Sequence, residues 1–99
     1  MSRRPWEIEW NGRDSLEDHF GRHGKEVGAK NEREYLRSAR ETIQLGVRLT
    51  YQIGSRERLG YYHKRTGRFT AVSGDGQSIL THSRESENYV HTLKGSTYR

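Results

Sequence analysis

The chain contains no cysteine, a single methionine and a single proline, and only 29% of its residues are apolar. Without cysteine there is neither a disulfide framework nor a thiolate site, and cysteine usage says nothing about redox compartment. No stretch approaches the roughly 20 apolar residues that a membrane span requires. The start, Met-Ser-Arg-Arg-Pro, lacks the hydrophobic segment of a signal peptide. No membrane span and no signal peptide are therefore expected.

What the chain does have is charge and aromatic bulk. Of its 99 residues 31% are charged, yet Trp6, Trp10, Phe20, Phe69 and six tyrosines are available to pack. That composition is polar for a globular protein but not that of a disordered tail, and the length suits one domain with one modest core. The charge is unevenly spread. Residues 1–46 carry nine Lys or Arg against nine Asp or Glu, whereas residues 47–99 carry nine against four, so the second half holds the whole net charge of +5. A regional surplus of this kind suits a polyanion-facing surface, nucleic acid above all. The plainer alternative is a soluble basic protein.

Taken in order, Trp6, Ile8 and Trp10 alternate with Glu7 and Glu9, which predicts a short strand or extended arm over residues 1–13 with one aromatic face, ended by Asn11-Gly12. Asp14 or Ser15 is placed to cap a first helix, with Glu17 and Asp18 early, where the helix dipole favours anions. Asn31 followed three residues later by Glu34 has the form of a capping arrangement. Tyr35, Leu36, Ala39 and Ile43 then mark one face of a second helix closed by Gly46. Beyond Gly46 the period becomes alternating. Leu49, Tyr51 and Ile53 form one strand face; Tyr61–Lys64, the turn Arg65-Thr66-Gly67 and Phe69–Val72 read as a hairpin; Gly74-Asp75-Gly76 leads into Ser78–His82. A last strand is expected around Asn88–Leu93. The fold class is thus α+β: two N-terminal helices, over 14–46, packed on a four- to five-stranded antiparallel sheet over 47–94, all within a single domain 1–99.

The chemistry concentrates between Asp14 and Gly28. Leu16, Phe20 and His23 recur at helical spacing, and His19 lies one turn before His23, so the two imidazoles are neighbours. Gly21, Gly24 and Gly28 each cost roughly 1 kcal/mol inside a helix, so the helix should end near Gly24 and leave Lys25 and Glu26 in a turn. His23 then lies at a helix C-terminus, where the dipole favours the protonated ring. Histidines four apart also have the spacing of two helical zinc ligands, but Phe20 stands where the metalloprotease motif needs Glu, so no metal and no cofactor are expected.

The segment His19-Phe20-Gly21-Arg22-His23-Gly24-Lys25-Glu26-Val27-Gly28, the helix with Glu34-Tyr35-Leu36 and Ala39, the strand pair Gly67–Val72 and Asp75-Gly76 with Ile79 and Thr81, and the later Tyr89 together resemble small ribonuclease toxin domains of the barnase, EndoU, colicin and RelE group. The resemblance covers roughly Leu16 to Tyr89, and the histidine-glycine segment is its most specific piece. It implies a helix-then-sheet architecture, metal-independent RNA cleavage in the cytoplasm of a producing or target cell, and a cognate immunity or antitoxin protein, for which the basic surplus implies an acidic partner. At one point the chain departs from the pattern: His82 follows Thr81 where an aromatic residue is expected.

The residue types suit that reaction on their own terms. RNA cleavage without metal needs a base for the 2′-OH proton, an acid for the leaving 5′-oxygen, and donors for the charge that develops on phosphate. His19 is assigned as base and His23 as acid, with the roles interchangeable, and Glu26 orients or substitutes for one of them. Arg22, Lys25, Lys64 and Arg68 are expected to hold RNA, while Thr81 and Tyr89, on strands facing the helix, donate to a phosphate oxygen. A structured RNA such as tRNA is the expected substrate, cut to leave a 2′,3′-cyclic phosphate. The alternative from another class is a non-catalytic nucleic-acid-binding domain, in which the tyrosines, tryptophans and interspersed cations stack on and grip single-stranded RNA.

Overall fold

The computed structural model describes residues 4–99; the first three residues of the expected arm lie outside it. In chain order the elements are a 3-10 turn Pro5–Glu7, β1 Glu9–Trp10, α1 Arg13–His23, α2 Glu32–Leu45, β2 Val47–Ile53, β3 Arg56–His63, β4 Arg68–Ser73, β5 Ser78–Arg84 and α3 Glu87–Thr92. The five strands form one sheet in the order β1-β5-β4-β3-β2. β2 to β5 are antiparallel, but β1 runs parallel to β5, pairing Glu9 with Ser78 and Trp10 with Ile79. The sheet is therefore mixed rather than purely antiparallel, because the N-terminal segment joins the far edge instead of extending the β2–β5 meander.

Several local expectations change for identifiable reasons. The N-terminal arm does not alternate as a strand: the 3-10 turn at Pro5–Glu7 rotates Trp6 outward, 56% exposed, while Trp10 is buried. Helix α1 is capped by Gly12 at φ 94°, without a side-chain cap. Ser15 instead accepts a 3.1 Å hydrogen bond from the Trp10 indole. β3 begins at Arg56, five residues before the expected hairpin strand, because Gly54 at φ 58° makes a tight turn directly after β2. Asn88–Leu93 is not a strand. Ser86 caps α3 by accepting from the Tyr89 N–H, and Val90 alone of that helix is buried. The sheet consequently ends at Arg84 rather than near residue 94. Helix α2 forms as its sequence predicts, with Asn31 accepting from the Glu34 N–H at 2.9 Å and the Glu34 carboxylate accepting from the Lys30 N–H at 2.9 Å.

Two apolar clusters lie on opposite faces of the sheet. On one face Tyr35, Ala39 and Ile43 of α2 pack with Val72, Ile79, Ile8, Trp10 and Val27, and Phe20 and Leu16 of α1 pack against them. On the other, Val90 of α3 packs with Leu49, Tyr51, Tyr62, Phe69 and Ala71. The helix face also buries a polar group. His82 is fully buried between Ser38 Oγ at Nε2 and Thr70 Oγ1 at Nδ1, both at 2.8 Å. The Tyr35 hydroxyl donates to the His82 carbonyl. Burial holds the His82 imidazole in its neutral form, with Arg68 and His23 adding to the effect, and its pKa falls to about 3.

A pH dependence follows. A histidine that protonates near pH 6.5 when unfolded but only near 3 when folded leaves the unfolded state binding more protons between those values. Stability should fall as pH drops below about 6.5, approaching about 1.4 kcal/mol per pH unit per such group. Thermal or denaturant unfolding between pH 7 and 4.5 measures it. A His82→Gln variant should be less stable at pH 7 yet show a flatter slope, and a wild-type stability that does not change between pH 7 and 5 would contradict the assignment.

Candidate active site

Helix α1 runs to His23, with Gly24 still in helical conformation and its N–H bonded to the Phe20 carbonyl at 2.8 Å; the Phe20 ring lies over Gly24 so closely that a Cβ there would sit 2.6 Å from it. The chain then turns through residues 24–28, with the Ala29 N–H bonded to the Gly24 carbonyl at 2.8 Å and Gly28 at φ 77°. This sharp stop has a consequence for charge placement. It brings Glu26 back beside His23 and, at the same time, against the outer edge of β5.

That edge is short of partners. β1 covers it only as far as Ile79, and alternate residues of an antiparallel strand direct their N–H and C=O groups to the same side. Side chains complete the edge: Tyr35 donates to the His82 carbonyl, and Glu26 Oε2 accepts from the Arg84 N–H at 2.8 Å. The other carboxylate oxygen, Oε1, lies 3.0 Å from His23 Nδ1. Burial pushes the Glu26 carboxyl up, but the Arg84 N–H, the His23 hydrogen bond and the His23 charge outweigh it, leaving the group below the ordinary carboxylate range.

His19 is fixed similarly. Its Nδ1 lies 2.9 Å from the Ser15 carbonyl, an acceptor only, so Nδ1 carries the proton. Its ring stacks obliquely on Trp10 at 5.5 Å, and the His19 and His23 centroids are 6.2 Å apart. Both imidazoles are thus held by Nδ1, and at neither ring does a protein group bond Nε2 among the described residues. Both rings are half-buried.

Beside this pair lies a row of basic side chains. His63, Arg68 and Arg84 are register partners across β3, β4 and β5, so their side chains share a face. Arg68 reaches from that face to the Val27 carbonyl at 2.9 Å, which places the row on the side of the α1–α2 connection. Arg68 and Arg84 are like charges directly opposite one another, an arrangement that costs stability unless an anion offsets it. Neither guanidinium is in an ion pair among the described residues. His63 Nδ1 is bonded to Thr66 Oγ1 at 3.0 Å.

The structure therefore brings His19, His23, Glu26 and Arg68 to one side of the sheet, together with Arg84 and His63, which no local sequence pattern marks. The other candidates lie elsewhere. Thr81 pairs with Ala71 on the α3 face of the sheet, because His82 takes the helix face. Tyr89 stands on α3 rather than on a strand, 42% exposed, with its ring edge-on to Phe69. The expectation that Thr81 and Tyr89 face the histidines is corrected on both counts: the sheet separates them. Arg22 pairs with Asp18 at 2.6 Å on the exposed side of α1, and Lys64 is 3.5 Å from Glu87 of α3. Lys25 borders a hollow with Phe20, Gly21, Gly24, Ala29 and Lys30 instead of joining the basic row. No three His, Asp or Glu side chains among the described residues form a set that could hold a metal. None of the described helices is long and apolar enough to cross a membrane.

Comparison with protein-family models, curated proteins and solved structures gave no match.

The facing arginines generate a prediction. Arg84→Gln removes the repulsion but keeps the N–H that Glu26 accepts. It should raise stability slightly at low ionic strength, by a few tenths of a kcal/mol, whereas inorganic phosphate should stabilise the wild type and not the variant. Melting temperatures with and without phosphate read both effects. Equal phosphate stabilisation of the two proteins would remove Arg84 from the anion site.

Proposed function

We propose that the chain is a metal-independent endoribonuclease of the toxin type. The observation that supports this most is the pair of neighbouring imidazoles, each anchored through Nδ1, beside two arginines whose guanidiniums are in no ion pair among the described residues. In this reading the scissile phosphate bridges Arg68 and Arg84. His19, with Nδ1 donating to Ser15, offers the Nε2 lone pair as base; it takes the 2′-OH proton as the 2′-oxygen forms a bond to phosphorus. His23, whose Nδ1 faces Glu26 at 3.0 Å, takes the acid role, and its Nε2–H gives a proton to the 5′-oxygen as the P–O5′ bond breaks. The products are a 2′,3′-cyclic phosphate and a free 5′-hydroxyl. Glu26 is a positioning residue here, since both its oxygens are engaged.

A structured RNA, tRNA being one, is the proposed substrate, and the cytoplasm of the producing or a target cell the proposed place of action. An acidic immunity or antitoxin protein is the proposed partner, steered to the same cations that take RNA. With Lys64 turned toward Glu87, the surface such a partner would cover centres on Arg68 and Arg84.

The test is incubation with total RNA in EDTA followed by end-group analysis. Cleavage should persist under chelation and leave 2′,3′-cyclic phosphate. His19→Ala and His23→Ala should each reduce it by a factor on the order of 10² or more while melting as the wild type does. Tight RNA binding with no cut product would point instead to a non-catalytic nucleic-acid-binding domain.

A further inference from the structure

Trp6 is a large aromatic ring left in solvent for no packing reason. It belongs to neither apolar cluster, and the 3-10 turn that exposes it sits against α2. The guanidinium of Arg4 lies over its ring at 5.5 Å. The indole forms one wall of an open hollow whose other residues come from the outward stripe of α2, among them Arg33, Leu36, Arg37 and Arg40. Arg40 is committed to Glu9 and to the Ile8 carbonyl, which fixes the N-terminal segment on the helix. Arg33 and Arg37 have no bonded partner among the described residues, so the hollow joins an aromatic wall and an apolar floor at Leu36 to two uncommitted guanidiniums, with Glu41 and Gln44 completing its lining.

We propose that this hollow is a second RNA contact, in which an unpaired base stacks on Trp6 while the flanking phosphates meet Arg33 and Arg37. Aromatic platforms lined by cations bind single-stranded nucleic acid without regard to sequence, because every base has a π-face. Leu36 provides the apolar surface that a buried base edge needs, and with Arg33 and Arg37 against the single carboxylate of Glu41 the surplus charge complements a phosphate backbone rather than a basic or neutral peptide. The site lies outside the His19, His23 and Arg84 constellation and draws on the half of the chain whose net charge is zero. It rests on the RNA reading given above and narrows it to substrates with an unpaired stretch beside the cut.

The test uses the His23→Ala protein so that binding is read without turnover. Titration with a twelve-nucleotide oligouridine should quench the tryptophan emission, and Trp6→Leu in that background should remove most of the quench, leaving only the smaller response of Trp10, which is buried against His19. Affinity should fall about tenfold for Trp6→Leu and recover in large part with Trp6→Phe. Arg33→Gln with Arg37→Gln should flatten the salt dependence of binding by about 1.4 in its logarithmic slope. In the catalytic protein, Trp6→Leu should raise KM for long substrates and leave kcat unchanged. If Trp6→Leu binds oligouridine as tightly as its parent while total RNA is still cut, the second contact is wrong and the ribonuclease reading stands. If Trp6-dependent binding is seen but no RNA is cut, the contact stands and the reaction falls. Binding of an acidic protein, with no quench by RNA, would overturn the proposal in favour of a protein-docking surface.

Discussion

The structure depends on how the outer edge of β5 is finished. A strand edge with open N–H and C=O groups must find partners or invite another chain to pair with it. Here β1 gives out after two residues, and two helix-side groups take over: the Tyr35 hydroxyl at the His82 carbonyl and the Glu26 carboxylate at the Arg84 N–H. By substituting side chains for a strand, the fold brings a histidine-bearing helix end against a row of arginines.

Glu26 carries two functions through one carboxylate. It closes the strand edge with one oxygen and holds His23 with the other, so the position of His23 is tied to the sheet rather than to a mobile surface turn. His19 is tied to the core by a different route, through Trp10 and Tyr35, whose rings form a chain of contacts ending at His82. The neutral, doubly bonded His82 is a polar filler for that core, with both ring nitrogens matched to hydroxyls and, among the described residues, no buried side-chain polar atom left unpartnered. It can be placed there only in the neutral state, which is why its burial makes the fold acid-sensitive.

Much of this was legible in the sequence where local chemistry decides the outcome. The Asn31 and Glu34 pair marks the start of α2, Gly46 its end, and the glycines after His23 the close of α1. The meander from β3 to β5 follows from turn residues and alternation. What escaped was set by partners distant in sequence. Asn88–Leu93 has the tyrosine, valine and threonine of a strand, but Ser86 caps it into a helix whose Val90 fills the far side of the sheet; the Ser86-Glu87 start was the available signal. Trp6 and Trp10 share a period but not a face, because Pro5 opens a 3-10 turn. Thr81 and His82 compete for the helix face, and the bulge between β4 and β5 near Ala71 and Val72 lets both Ile79 and His82 point inward. Arg84 could be found only from its register with Arg68.

The central claim is that both α1 histidines are locked through Nδ1 and keep Nε2 free of protein partners among the described residues. Long-range proton–nitrogen correlation of the imidazole rings at alkaline pH reads the tautomers directly. The account predicts the Nδ1–H form at His19 and at His23, with the His23 pattern changing in Glu26→Ala and the His19 pattern unaffected. An Nε2–H tautomer at both rings, unaltered by loss of Glu26, would contradict it.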